Sequence, residues 1–408
     1  MTASKTTDSP LAHLSPLLQK RGMLTYLLAT IVGLPTMSIT LIAPAIPKIK
    51  VEFAATYNEA QLVLTGFLIA MAAGLLFIGL LSDRFGRRPI LLSGLTLFFI
   101  GSLIGTFATS ISVLVIARVL QGFGAAALMI TGRIIVNDIY AAKDASRALS
   151  SITAVQSIVP VIALALGGGI VEFFGWRMTL IVMLVSSTIV LAQSYFLIPE
   201  TNKNRLSMLN LAKLFEAFNT VLSSRYWQLY SLCAGLQIGM FYSMNGYMPY
   251  HFERLGASIT AFGFYYATIS VGYMIGNLIN RRYGASYSLG QWVLIGCWIC
   301  LATLIAILVG HSFDLLTPLR LSALISFIGF SHGLLVANAI ISSMKNMGPH
   351  SGSANGLGAG MHMLIGAISG SLIISLGGAT LFWVSVMVNI LMAIMAIMAA
   401  ARALKLSS

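Results

Sequence analysis

Apolar runs of about 20 residues recur along the whole chain, and a run of this length is what an α-helix needs to cross a bilayer core of about 30 Å. With 58% hydrophobic and only 9% charged residues among 408, the chain has too little polar surface for a soluble globular protein. We therefore predict an all-α polytopic membrane protein with twelve transmembrane helices. The predicted spans are residues 23–46, 60–81, 89–108, 112–136, 147–171, 178–198, 227–249, 259–280, 290–310, 316–341, 353–376 and 379–401.

Lysine and arginine residues concentrate in every second connection between the predicted spans. Seventeen of them, Lys5 and Lys20 included, lie in one set of connections and in the two terminal segments, whereas four lie in the other set. Short cytoplasmic loops carry the Lys and Arg excess in membrane proteins. We therefore predict that both termini are cytoplasmic, and we interpret the net charge of +13 as a topology signal rather than as a nucleic-acid-binding surface.

A long polar connection at residues 199–225 divides the chain into two halves of six predicted spans each, residues 1–198 and 226–408. Apolar residues recur within the connection at helical spacing, which predicts an amphipathic helix along the membrane surface. These residues are Leu211, Leu214, Phe215, Phe218 and Leu222. The halves also resemble each other, since Gly276 and Asn280 repeat the spacing of Gly79 and Asp83. Such an echo is typical of duplicated transporter folds and predicts two six-helix bundles.

The connection between predicted spans two and three reads GLLSDRFGRRPILL at residues 79–92, with its motif positions at Gly79, Asp83, Gly86, Arg87 and Arg88. It resembles the loop between the second and third helices of major facilitator superfamily transporters, whereas an ordinary positive-inside loop would need only the arginines. The resemblance implies a gating latch. In that latch Arg87 pairs with Asp138, and Asp83 sits at the start of the eleventh helix, where a helix N-terminus favours an anion.

Arg118 and Gln121 in predicted span four match the motif of the fourth helix in proton-coupled members of that superfamily. An arginine inside a span costs several kcal/mol unless it faces protein, water or a counter-ion, so we expect Arg118 to face a cavity; the alternative is snorkelling to the outer surface. Arg133 lies 15 residues further on, roughly 60° around the helix, and either addresses the same cavity or ends the span at the cytoplasmic side.

Predicted span five carries Pro160, Gly167 and Gly168, which resemble the fifth-helix motif of bicyclomycin/chloramphenicol-type drug exporters in the drug:proton antiporter group. Those exporters have a second proline three residues before the glycine pair, where this chain has Leu164. The antiporter signature is therefore only partly kept. Glycines also let neighbouring helices approach closely, and helix packing is the interpretation that needs no function.

None of the eleven Asp and Glu residues lies in the middle of a predicted span. A cavity with buried arginine and no carboxylate disfavours lipophilic cations and suits an anionic or zwitterionic solute. Proton coupling then needs another titrating group. His332 and His362 are candidates, although a lone intramembrane histidine is often a structural hydrogen bonder, and Asp83 and Asp138 are the alternatives. The residues that we expect to line a polar cavity are Tyr242, Asn245, Tyr247, Asn338 and Gln156, although the aromatic residues of span seven could instead pack against lipid.

These observations predict a secondary active transporter that exports a small organic solute by proton antiport and alternating access. The solute is an anionic or zwitterionic metabolite, siderophore or drug, which places the chain among efflux and multidrug-resistance proteins. An importer or proton symporter of the same fold is the alternative, and a membrane receptor or structural protein is the alternative of another class. We expect no enzyme activity, metal, cofactor or nucleic-acid partner. We expect a monomer in the bacterial inner membrane, with the solute, protons and lipid as its partners.

Overall fold

The computed structural model describes residues 21–203, 205–208, 211–345 and 347–407, so Lys5 and Lys20 lie outside the described residues. The described chain is helical and contains no β-strand. The α-helices are α1 (Arg21–Ile42), α2 (Ile46–Glu52), α3 (Tyr57–Phe85), α4 (Arg87–Thr106), α5 (Ile111–Ile139), α6 (Ala142–Phe174), α7 (Arg177–Leu197), α8 (Leu211–Ser223), α9 (Arg225–Arg254), α10 (Ile259–Tyr283), α11 (Leu289–Ser312), α12 (Pro318–Met344), α13 (Ser351–Ser375) and α14 (Phe382–Ser407).

Ten helical stretches of the described chain are long and apolar enough to cross a membrane. They match ten of the predicted spans, so the polytopic all-α prediction is confirmed at this level. The predicted spans 227–249 and 259–280 lie in α9 and α10, which have 30 and 25 residues and are not among those ten. Polar side chains such as Gln237 and Asn245 lower the hydropathy of α9.

Several helices start and stop where the sequence offers a cap or a breaker. Thr56 and Glu59 form a capping box at the start of α3. Gly86 separates α3 from α4 and has φ +104°, a conformation that favours glycine. Pro44 lies in a short 3-10 turn between α1 and α2. The helices run past the ends of the predicted spans because polar terminal turns remain helical outside the apolar window that the prediction used.

The helices pack mainly within each half of the chain. In the first half α5 packs on α3 and α4, and α1 packs on α6. In the second half α12 packs on α10 and α11, and α9 packs on α13 and α14. Two pairs join the halves extensively, α3 with α13 and α6 with α10.

We call the end of the molecule that carries Arg84, Arg87, Arg225 and Arg402 the basic end. The starts of α1 and α4 lie there with the end of α5, since Thr25 shares a hydrogen bond of 3.1 Å with Tyr140 and Arg87 contacts Asp138. The amphipathic helix predicted in the polar connection is present as α8, which packs on α13 and α9. Phe218 of α8 is buried, whereas Phe215 is 57% exposed.

Candidate functional site

A central cavity of about 240 Å³ lies between the two halves, with α1, α3, α5 and α6 on one side and α9, α10, α12 and α13 on the other. It reaches from the middle of these helices to Ser343, Met344 and Ala354 near the basic end. Of the residues that the sequence singled out, the cavity is lined by Arg133, Gln156, Pro160, Tyr242, His332 and His362.

A second space, the basic-end pocket, has about 740 Å³ and adjoins the cavity. Both spaces share Met129, Arg133, Asn355 and Ala359, so Arg133 stands at their junction. The basic-end pocket also includes Asp83 of α3 and Gly352 at the start of α13.

The halves are held together toward the opposite end. Thr65 of α3 and Ser371 of α13 share a hydrogen bond of 3.0 Å. Glu172 of α6 accepts a hydrogen bond of 2.6 Å from the backbone N–H of Thr260 at the start of α10. The described conformation therefore closes the cavity at the end that faces away from the basic end.

Arg133 is the one arginine or lysine among the described residues that line the central cavity. Among the described residues that line the cavity, none is Asp, Glu or Lys. Nη2 of Arg133 donates a hydrogen bond of 2.9 Å to Oε1 of Gln156 on α6. A guanidinium has five N–H donors, so this single neutral partner leaves capacity for an anion.

The wall opposite Arg133 is aromatic. The ring of His332 lies 5.1 Å from Tyr273 and 6.0 Å from Phe241, measured between ring centroids. Phe241 in turn lies 5.6 Å from Tyr242. His362 borders the cavity from α13, and its Nε2 atom is buried without a hydrogen-bond partner among the described residues. The cavity thus combines one cation, a cluster of rings and a buried imidazole nitrogen without a described hydrogen-bond partner.

Arg118 does not line the cavity, which corrects the expectation that it faces one. Its side chain is fully buried, donating from Nε to the Val63 carbonyl at 3.0 Å and from Nη1 to Ser38 Oγ at 2.7 Å. Fifteen residues separate Arg118 from Arg133. At 1.5 Å per residue they are about 22 Å apart along α5, so sharing a helix face does not bring them together. The guanidinium does not snorkel either.

Gln121 belongs to the same internal network. Its Oε1 atom accepts a hydrogen bond of 2.6 Å from Arg118, and its Nε2 atom donates one of 2.8 Å to Ser102 Oγ on α4. The Arg118 guanidinium also lies 4.4 Å from the centre of the Phe67 ring. The network joins α1, α3, α4 and α5 through the interior of the first half.

The expectation that Asn245 and Asn338 line the cavity is not met by the described conformation. Asn245 is fully buried and donates a hydrogen bond of 2.7 Å to the Phe241 carbonyl. Asn338 donates one of 3.0 Å to Oδ1 of Asn280, which links α12 to α10. Asn245 thus contacts its own helix, while its Oδ1 atom is buried without a described hydrogen-bond partner. Apolar neighbours such as Val336 and Ile340 line the cavity beside Asn338. Tyr247 is buried outside the cavity lining and accepts a hydrogen bond of 2.6 Å from Asn389.

The residues of the predicted latch lie together at the basic end. Nε of Arg87 is 3.2 Å from Oδ2 of Asp138, and the same guanidinium forms an ion pair with Asp83. The hydrogen bonds described for the Asp83 carboxylate run to Arg87, while its side chain borders the basic-end pocket beside the start of α13. Arg88 donates a hydrogen bond of 2.7 Å to the Tyr195 carbonyl, and a Cβ at Gly79 would meet no atom within 4 Å.

Sequence reasoning missed a segment of the polar connection, residues 200–202, that lies across this latch. Glu200 accepts a hydrogen bond of 2.9 Å from the backbone N–H of Arg87, where α4 begins. Thr201 Oγ1 donates to Asp138 at 2.9 Å, and Asn202 Nδ2 donates to the Asp83 carbonyl at 3.0 Å. The available signal was an acid just after Pro199, close enough in sequence to the end of α7 to reach the basic end.

The glycines predicted to allow close packing lie at such contacts. A Cβ at Gly167 would be 3.1 Å from the Leu41 carbonyl oxygen of α1. A Cβ at Gly168 would be 2.5 Å from the Ile259 carbonyl oxygen and 3.1 Å from Cα of Gly263, both on α10. Pro160, about two turns earlier in α6, borders the central cavity instead.

Comparison with known proteins gives a consistent family match. Residues 28–370 match the profile of the Major Facilitator Superfamily. The chain is 27% identical over 355 residues to a bicyclomycin resistance protein homolog of Haemophilus influenzae, covering 84% of this chain and 86% of that protein. It is 29% identical over 250 residues to an uncharacterized transporter of Rickettsia felis, covering 60% of this chain and 62% of that protein. The crystal structure of a D-xylose-proton symporter is similar with a TM-score of 0.71 at 14% identity, covering 93% of this chain and 97% of that one.

Proposed function

The chain belongs to the Major Facilitator Superfamily, and we propose that it exports a small anionic or zwitterionic organic solute across the bacterial inner membrane in exchange for protons. It is a transporter of that superfamily rather than an enzyme, and the proton gradient is its proposed driving force, with no cofactor.

Alternating access between two six-helix bundles is the proposed mechanism, with α9 and α10 completing twelve spans. The packing of helices within each half supports this proposal, as do the two contacts that join the halves, α3 with α13 and α6 with α10. The excess of Lys and Arg in the connections at the basic end supports a cytoplasmic basic end. The described conformation would then be closed to the outside, with the solute entering from the cytoplasm. We propose that one chain is sufficient for transport.

The observation that carries the proposed substrate charge is the composition of the central cavity. Arg133 lines it without a carboxylate partner, and no described lining residue is acidic. A lipophilic cation would have to approach a buried guanidinium without a compensating anion, which costs several kcal/mol in a site of low dielectric. The volume of about 240 Å³ favours a small acidic metabolite over a larger siderophore-like chelator or drug.

His362 and His332 are the groups that we propose to carry the coupling proton, because both border the cavity and an imidazole ring can bind and release a proton. Asp83 and Asp138 remain the alternative carriers. We propose that Arg118 and Gln121 act in coupling through their contacts to α1 and α3 rather than by touching the solute.

Export is supported by the name of the Haemophilus influenzae relative, a bicyclomycin resistance protein homolog. Import with protons is the second candidate, favoured by the structural similarity to a D-xylose-proton symporter and by Leu164 at the expected second proline.

Purified protein in proteoliposomes under an imposed pH gradient tests these proposals. An internal pH dye would report proton movement on adding anionic, zwitterionic or lipophilic cationic solutes. We expect anions or zwitterions to cause proton movement that Arg133→Gln abolishes. In His362→Gln, we expect solute flux to continue without the proton movement. A response to lipophilic cations would contradict the proposed substrate charge. Solute moving in the same direction as protons would establish the symporter instead.

A further inference from the structure

We propose that the central cavity binds a small aromatic carboxylate, with Arg133 binding the carboxylate and the rings of Phe241, Tyr242, Tyr273 and His332 holding the aromatic ring. This inference rests on the proposed function, since it names the substrate class of the same cavity.

The ligand carboxylate would bind the N–H donors of Arg133 that have no described acceptor. The described hydrogen bond of Arg133 goes to Gln156, a neutral side chain. The ion pairs described in the chain are formed by other arginines, such as Arg87 and Arg177. A planar carboxylate can therefore take two parallel N–H donors of Arg133 without displacing an ionic partner. Arg118 cannot serve in this way, because Ser38, Gln121 and the Val63 carbonyl already accept its hydrogen bonds.

The aromatic end is defined by rings that three helices bring together. Phe241 and Tyr242 come from α9, Tyr273 from α10 and His332 from α12, with neighbouring centroids 5.1–6.0 Å apart. These distances lie in the range of contact between aromatic rings. All four rings also line the cavity, so a ligand ring bound there would contact them. Tyr273 and Arg133 line the same cavity, from α10 and α5 respectively. In a cavity of this size, a ligand that touches both carries its acid close to its ring.

Size limits the ligand further. The central cavity, without the adjoining basic-end pocket, has about 240 Å³. This volume is below the roughly 300–1,000 Å³ that is typical of sites for drug-sized ligands. A single substituted ring with one carboxylate fits this volume better than a polycyclic drug. The acid-free lining excludes the corresponding aromatic amine on grounds of charge.

Binding to the full-length protein in detergent, followed by titration calorimetry, tests the inference without any membrane or gradient. The probes are benzoate, cyclohexanecarboxylate, benzyl alcohol and benzylamine, which vary the ring and the charge separately. We expect benzoate to bind roughly three- to tenfold more tightly than cyclohexanecarboxylate, because ring contacts add to the apolar area buried. We expect benzylamine not to bind.

Variants test the carboxylate contact and the ring contact of the ligand separately. Arg133→Gln should weaken benzoate at least about tenfold and leave benzyl alcohol unchanged, since only the charge-assisted hydrogen bonds are lost. Tyr273→Leu should remove the preference for benzoate over cyclohexanecarboxylate. Arg147→Gln is the matched control, because that arginine is exposed and lies outside the cavity. The thermal unfolding midpoint of each variant confirms that it is folded, and Arg133→Lys replaces Arg133→Gln if the latter is not.

Equal affinity for benzoate and cyclohexanecarboxylate, tighter binding of benzylamine, or full benzoate affinity in Arg133→Gln would overturn the inference. Failure of the proposed transport function would give a different result from failure of the proposed ligand class. If benzoate binds as expected but drives no proton movement in proteoliposomes, proton-coupled transport is wrong and the binding site stands. If anions are transported with no preference for a ring, the transport proposal stands and the aromatic class is wrong.

Discussion

Arg118 and Arg133 share α5 and have different surroundings, which decides what each can do. Arg118 is fully buried, with acceptors on α1, α3 and α5 and the Phe67 ring against its guanidinium. Arg133 has one described hydrogen bond and borders two spaces. A cation without a nearby anion is tolerated inside a membrane protein when neutral acceptors replace water. Arg118 therefore organises the first half, and Arg133 is available to a ligand.

We predict that Arg118→Met lowers the free energy of unfolding by about 2–4 kcal/mol, because Gln121 and the Val63 carbonyl lose a charged donor in a buried site. Arg118→Lys should lose less, since an ammonium keeps the charge but not the fork of donors. Thermal or denaturant unfolding in detergent measures the effect. Arg147→Met is the control, because the side chain of Arg147 is 73% exposed. Equal stability of Arg118→Met and the parent protein would show that the network contributes nothing.

Helices α6 and α10 meet backbone to backbone where the two halves join. The contact depends on Gly168 and Gly263, whose Cα atoms face each other. Gly169 is its natural control, since a Cβ there would meet nothing within 4 Å. Such a contact lets the halves approach at the opposite end and close the cavity there. The segment 200–202 lies at the basic end, where Glu200 caps α4 and Thr201 contacts Asp138.

We predict that Gly168→Ala separates α6 from α10, whereas Gly169→Ala does not. The new Cβ would lie 2.5 Å from the Ile259 carbonyl oxygen, which is backbone and cannot rotate away. The steric cost of about 1–3 kcal/mol exceeds the gain in helix propensity of up to about 1 kcal/mol. A cysteine pair at positions 172 and 260 reports the approach through the yield of its disulfide.

The disulfide should form readily in the Gly169→Ala background and poorly in the Gly168→Ala background. The native cysteines do not interfere, because Cys233, Cys297 and Cys300 are buried and free. Equal yields in the two backgrounds would contradict a role for Gly168 in closing the opposite end.

The whole molecule has two halves that pack internally and meet around a cavity closed at one end. The proposal that the basic end is cytoplasmic rests on the sequence, in which seventeen Lys and Arg residues fall in one set of connections and terminal segments and four in the other. The basic end also carries the latch and the segment across it.

We predict that a cysteine at Ser207 is protected from a membrane-impermeant maleimide in intact cells, and that one at Thr109 is labelled. Both positions are exposed, and they lie at opposite ends of the molecule. The parent protein should stay unlabelled because its cysteines are buried. Permeabilised cells provide the control in which both variants react. Labelling of Ser207→Cys in intact cells would invert the proposed topology.

The sequence by itself determined the class of the protein and the existence of its helices, because a run of apolar residues long enough for a bilayer has few other ways to satisfy its backbone. It also indicated the family, since the residues of 79–92 lie close together in the chain and do not need the fold to be recognised. The amphipathic spacing that predicted α8 is local in the same sense.

Only the tertiary structure decided which polar residues face the cavity. Helical period gives the angle around one helix, and it correctly allowed Arg118 and Arg133 to share a face of α5. It does not say what packs at each height, so Arg118 is enclosed by α1 and α3 while Arg133 borders the cavity. For the same reason, the ring contacts of His332 join residues 59 and 91 positions apart, and the contact of Thr201 with Asp138 joins residues 63 positions apart. Proximity between distant segments is set by how whole helices pack, and no local pattern in the chain encodes it.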